Sequence, residues 1–248
     1  MDIGLEKHRY YIEILNGSKL FMDLPHSSLN ELLEIASSHI WPKKSCILDT
    51  HQVCYKFYII ISGRIKVYNF DMLKDRKLTL HLLQGNDVFD IFSLIDCVQH
   101  QVYYETLDEA EVLSIPLPAM KLWINNHPGF MNNFSAYVIE KMCYLQKYVA
   151  DMVFQDAQSR LAYLIYRNLN FDSNELEVIN DLTHQELAAM IGTTRAVINR
   201  HLQIFKEDGI LHLGRRRIIV LDIPCLLYTS PSPRDHLSYR VCRLLLEN

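Results

Sequence analysis

Thr183-His184-Gln185-Glu186-Leu187-Ala188-Ala189-Met190-Ile191-Gly192-Thr193-Thr194-Arg195-Ala196-Val197-Ile198-Asn199-Arg200 decides how this 248-residue chain is read. Thr183 with Glu186 three places on is a capping box, in which the hydroxyl closes the N3 amide and the carboxylate reaches back. Leu187, Met190 and Ile191 give the short helix that follows an apolar face. Gly192 ends it, because the tight turn wants a residue free to take positive φ. Thr194 caps a second helix running to about Lys206, with Ile198, Leu202 and Phe205 spaced for a core. Arg195, Ala196, Asn199 and Arg200 share the opposite face. A helix, a glycine turn and a second helix that exposes Arg and Asn form the recognition unit of a helix-turn-helix. An arginine fork can bond guanine O6 and N7 together, and Asn can read adenine.

Downstream, Gly209-Ile210-Leu211 enters a strand, Gly214 turns, and Arg217–Leu221 returns. The hairpin reads as a wing whose tip carries Arg215, Arg216 and Arg217 for phosphates. The chain as a whole is acidic, with a net charge of −4. Yet Thr194–Arg217 holds six basic residues against Glu207 and Asp208, and a DNA binder can be acidic overall if its bases gather on one face.

Working outward, residues 20 to 116 read as short strands broken by turns. The strands are Tyr55–Ile61, Arg64–Phe70, Leu78–Leu83, Val102–Leu107 and Glu111–Ile115, with turns at Ser62-Gly63 and Gly85-Asn86-Asp87. This spacing predicts a small antiparallel barrel or jelly roll. The period then changes. From Pro128 to about Phe154 no Gly or Pro follows Gly129, and Val138, Met142, Leu145, Val149 and Met152 step by 4, 3, 4 and 3. That heptad seam predicts a dimer interface between two such helices. Asp156 caps a further helix through Leu161, Leu164, Ile165 and Leu169. Asn170–Asn174 is a polar loop, and Leu176–Ile179 reads as a short strand. The Pro/Ser segment from Cys225 onward has no packing logic and reads as a non-native tail, translated adapter sequence.

The expected class is therefore α+β. A β-roll sensor domain occupies residues 1–125, a dimerisation helix 126–156, a winged helix-turn-helix 157–224 and the tail 225–248. No apolar run approaches the ~20 residues of a membrane span. The charged start, Met1 to Tyr10, lacks the apolar stretch of a secretory signal. Six scattered cysteines suit reduced thiols, so a cytoplasmic protein is expected. No nucleophile–base pair, P-loop or dinucleotide motif marks an enzyme. His51-x-x-Cys54 and Cys97-x-x-His100 have spacings that permit metal ligation, but buried thiols beside surface histidines suffice to account for them, and no metal site is expected.

Leu182–Leu211 resembles the DNA-binding motif of the cAMP receptor protein/fumarate-nitrate regulator (Crp/Fnr) family, with Gly192-Thr193-Thr194-Arg195 through Arg200 matching its recognition helix. The likeness extends more weakly over residues 20–224. It implies a cyclic-nucleotide-binding-like β-roll, a dimerising helix and a winged helix, acting on double-stranded DNA with RNA polymerase as a partner. By that likeness Arg195 and Arg200 contact bases, Gln185 and Thr194 contact phosphates, and Thr183, His184, Ala196 and Asn199 complete the DNA-facing set. Ala196 departs from the family, where a base-reading Glu is common. So does the sensor cassette Gly85-Asn86-Asp87-Val88-Phe89-Asp90-Ile91-Phe92. Asp90 and Ile91 stand where cyclic-nucleotide members carry Gly and Glu, and Gln101 or a neighbour stands where they carry the arginine that neutralises the phosphate. Phe89, Asp90, Ile91, Phe92, Gln101 and Leu145 would line a pocket for another effector, its identity unknown. The N-terminal cysteines of the iron–sulfur branch are missing as well. The competing reading, a cyclic-nucleotide-type sensor that works without DNA, lacks both a second effector domain and the nucleotide-seating residues.

Overall fold

The computed structural model describes residues 5–48, 55–89, 91, 94, 102–214 and 217–228. His51, Cys54, Cys97 and His100 lie outside them, and among the described residues no cluster of His, Cys, Asp or Glu could hold a metal ion. The backbone divides into two compact units, Met1–Tyr144 and Leu145–Asn248.

The first unit opens with two helices, α1 (Leu5–Gly17) and α2 (His26–Glu34), so the strand reading from residue 20 begins too early. Leu29, Leu32 and Leu33 recur at helical spacing and are buried. Among the described residues eight strands follow: β1 (Ser37–Trp41), β2 (Cys46–Leu48), β3 (Lys56–Ser62), β4 (Ile65–Asp71), β5 (Arg76–Leu83), β6 (Val88–Phe89), β7 (Tyr103–Thr106) and β8 (Ala110–Pro116). They pair antiparallel into two four-stranded sheets, ordered β1-β8-β3-β6 and β2-β7-β4-β5, which is the expected jelly roll.

Strand β3 shows why its sequence is continuously apolar rather than alternating. Tyr58 and Ile60 point between the sheets with Val112, Val67 and Tyr104. Phe57, Ile59 and Ile61 point the other way, into a core shared with α1 and α2. A strand covered on both faces has no reason to alternate. Two further helices, α3 (Leu117–Asn126) and α4 (Gly129–Phe154), contribute Met120, Trp123, Phe130, Phe134 and Tyr137 to that same core. Trp123 Nε1 donates to the Ser28 carbonyl at 3.0 Å, tying α3 to α2. Between β3 and β4, Gly63 takes φ of +83°, and a Cβ there would stand 2.4 Å from the Glu109 carbonyl oxygen, so only glycine fits.

The second unit begins on the last turns of α4. Asp156 caps α5 (Ala157–Arg167) by accepting from the Ser159 amide at 2.7 Å, and that bond holds its carboxyl below the usual range. Leu161 and Ile165 are buried in its inner face. The strand expected at Leu176–Ile179 is reduced to single bridges, Leu169 to Leu176 and Glu175 to Ile219. Helices α6 (His184–Met190) and α7 (Arg195–Glu207), the hairpin β9 (Leu211–Gly214) and β10 (Arg217–Val220), and helix α8 (Ile223–Tyr228) follow among the described residues. Helix α8 corrects the boundary drawn before Cys225: Leu226 is fully buried, and the Cys225 amide donates to Asp222 Oδ1 at 2.9 Å. Residues 229–248 lie outside the described residues.

Candidate nucleic-acid interface

The capping box is formed as expected. Thr183 Oγ1 accepts from the Glu186 amide at 3.2 Å, while Glu186 Oε2 accepts from the Thr183 amide at 2.7 Å. This fixes the first turn of α6 and leaves His184 and Gln185 exposed upon it. Leu187, Ala188 and Ala189 face inward. Gly192 takes φ of +65°, which lets the Thr193 amide donate to the Ala188 carbonyl at 2.9 Å and closes the turn.

Thr194 then caps α7 through the Val197 amide. Ile198, His201, Leu202 and Phe205 are buried beneath α7, while Thr194, Arg195, Ala196, Asn199, Arg200, Gln203 and Lys206 are exposed above it. The residues expected on one face of α7 are therefore exposed together, opposite a buried stripe of Ile198, His201, Leu202 and Phe205. Across the turn, His184 Nδ1 meets Asn199 Oδ1. Sequence reasoning did not anticipate His201. Burial lowers its basicity, Arg200 beside it adds to the effect and Asp156 opposes it, while Nδ1 finds no hydrogen-bond partner. A histidine at an inward position of a predicted helix was the available signal.

The wing departs in detail. Gly214 pairs with Arg217, so Gly214 is the last strand residue and the connection is Arg215-Arg216, which lies outside the described residues. Arg217 is no tip residue: it opens β10 and forms an ion pair with Glu175. The Ile218 amide donates to Asn180 Oδ1 at 2.7 Å, anchoring the returning strand to the same loop.

Of the six residues expected to line an effector pocket, the two described in the first unit, Phe89 and Ile91, face different cores. Phe89 packs between the sheets, stacked on Tyr58 with centroids 4.7 Å apart and flanked by Trp41 and Tyr104. Ile91 packs instead on the helix-side core, and Leu145 is exposed on α4. Asp90, Phe92 and Gln101 lie outside the described residues. A cavity of 280 Å³ opens elsewhere, lined by Leu94, Lys121, Ile124, Asn125, Phe130, Met131 and Phe134.

The expected dimer seam is divided. Val138 packs on the roll's core and Met152 is half-buried, while Met142, Leu145 and Val149 are exposed. Ile139 and Val153 extend the exposed series.

Residues 159–227 match the Crp-like helix-turn-helix domain. The chain is 24% identical over 214 residues to the CRP-like cAMP-activated global transcriptional regulator of Mycobacterium tuberculosis, covering 85% of this chain and 95% of that one. It is also 24% identical over 200 residues to the cyclic AMP receptor protein of Thermus thermophilus, covering 81% and 91%. Its fold is shared with a Eubacterium rectale protein described as a transcriptional regulator of the crp/fnr family, at a TM-score of 0.68 and 21% identity over 86% and 98% of the two chains. A jelly roll, a long helix and a winged helix-turn-helix with a basic face define a DNA-binding transcription regulator. Residues 159–227 thus carry a Crp-like helix-turn-helix domain, and the chain is similar to Crp/Fnr regulators over most of its length. No helix among the described residues is long and apolar enough to cross a membrane.

Proposed function

We propose that this chain is a homodimeric, sequence-specific regulator of the cytoplasm that works on RNA polymerase, is governed by an effector other than a cyclic nucleotide, and has no catalytic activity. The exposed face of α7 carries the reading: Arg195, Asn199 and Arg200 stand together on a helix whose other side buries Ile198, His201, Leu202 and Phe205. Arg195 and Arg200 read base edges by their guanidinium forks, and Thr183, Gln185, Thr194 and the wing arginines Arg215 and Arg216 hold the phosphate backbone. Arg217, paired with Glu175, braces the wing. Replacement Arg200→Ala should cost ~1–3 kcal/mol of sequence-specific binding and leave the non-specific component nearly intact. Competition gel shifts with cognate and scrambled duplexes measure both, and full discrimination in the variant would remove Arg200 from base reading.

The effector follows from charge. Lys77 and Lys121 have no lysine or arginine between them, so the cassette supplies no fixed cation for a cyclic phosphate. Desolvating that phosphate beside Asp90 would be repulsive. Titration calorimetry with cAMP, well above micromolar concentration, should give no binding heat. A saturable one-per-subunit isotherm would show the cassette to be misread.

A further inference from the structure

We propose that His184 is a positioning residue which holds Asn199 in a donor-led pose, so that this chain reads an acceptor edge, guanine or thymine, rather than adenine at the base facing Asn199. The inference rests on the DNA-binding reading and adds a specificity determinant to it. An amide oxygen can only accept, so in the contact between His184 Nδ1 and Asn199 Oδ1 the imidazole is the donor. The capping box fixes the backbone of His184, which leaves only its two side-chain torsions to be set. Asn199 sits on the exposed face one turn beyond Arg195, on a helix held by four buried residues. Both partners of the hydrogen bond are thus mounted on rigid elements.

Adenine presents N7 as an acceptor and N6–H as a donor, and a bidentate Asn must offer both its amide oxygen and its amide hydrogens. Here the imidazole takes one of the oxygen's two lone pairs and draws the oxygen toward α6. The two amide hydrogens remain, and they match the paired acceptors O6 and N7 of guanine or the O4 of thymine. The free-amide reading of Asn199 as an adenine contact, natural from sequence, is displaced by a neighbour fifteen positions away.

The test uses the full-length protein and a random-sequence duplex pool, followed by single-base-pair substitutions in the selected site. The wild type should prefer G or T at the position facing Asn199. Asn199→Ala should erase that preference by roughly tenfold, and His184→Ala should erase it to a similar extent. The double variant should lose no more than either single one, since both belong to one unit. His184→Gln, which restores a side-chain donor, should recover the preference. Asn199→Asp keeps the acceptor for His184 but replaces the donors, and should move the preference to cytosine. Selection of adenine at that position, or a His184→Ala profile identical to wild type, would overturn the proposal while leaving the DNA-binding reading in place. A wild type that selects no sequence at all would overturn both. His184 and Asn199 are exposed, so the variants test recognition rather than folding.

Discussion

A Val149→Glu chain should fold as well as the wild type and fail to associate with its twin. In the single chain Ile139, Met142, Val149 and Val153 are 60, 56, 60 and 69% exposed along α4, with Leu145 at 39%. A contiguous apolar ridge of this kind is expected to be covered, and the half-heptad spacing of Met142, Leu145 and Val149 suits the same ridge on a second α4. The glutamate costs the isolated chain little because its carboxylate remains in water. In a paired seam two carboxylates would face one another away from water, a penalty on the order of 4 kcal/mol, close to a thousandfold in dissociation constant. Sedimentation velocity at micromolar concentration should therefore report a wild-type dimer and a variant monomer with matching thermal melts. DNA affinity should fall with dimerisation, since two half-sites are no longer engaged together. A wild-type monomer under those conditions defeats the dimer model.

Acid should weaken the first unit well above the range in which carboxylates titrate, and His81 should be the chief cause. His81 on β5 packs its ring 5.6 Å from that of Tyr144. Burial, assisted by the charge of Lys141, lowers it from the ordinary 6.5 to about 4. A histidine depressed in the folded state stays neutral there while the unfolded chain takes up a proton. Stability is thus whole above pH 6.5 and falls as the pH drops toward 4, by up to roughly 3 kcal/mol over that interval. Half-buried Asp87, whose carboxyl is raised chiefly by desolvation, works in the opposite direction. His39, also lowered by burial, adds a smaller loss in the same direction, and His201 does the same for the second unit. Comparing denaturant midpoints at pH 7 and pH 4.5 for the wild type and His81→Leu isolates the contribution. The variant should be markedly less pH-dependent; equal pH slopes for the two proteins would assign the acid loss elsewhere.

Much of the recognition helix was legible because its signals are local. A capping box spans four residues, a glycine turn one, and the apolar spacing of Ile198, Leu202 and Phe205 needs only the helical period. Strand β6 has two residues and β2 three, too few for any alternation to register, and both went unread. Helix α2 was absorbed into the strand region because Leu29, Leu32 and Leu33 occupy a helix of only nine residues. The tail boundary failed for a related reason: Ile223–Tyr228 carries no periodic pattern of its own, and Leu226 is inward only because the fold covers it.

The order of elements, the capped helix pair and the basic character of the reading face were thus decided by the sequence itself, since each depends on residues within a turn or two of one another. Tertiary structure alone decided which polar groups are already engaged. Arg217 meets Glu175 forty-two positions away, His184 meets Asn199 across the glycine turn, and Val138 turns into the roll while Met142 remains outside. Periodicity specifies which side of an element is apolar, but a hydrogen bond or a buried face also requires the partner's position, and only the folded chain supplies that.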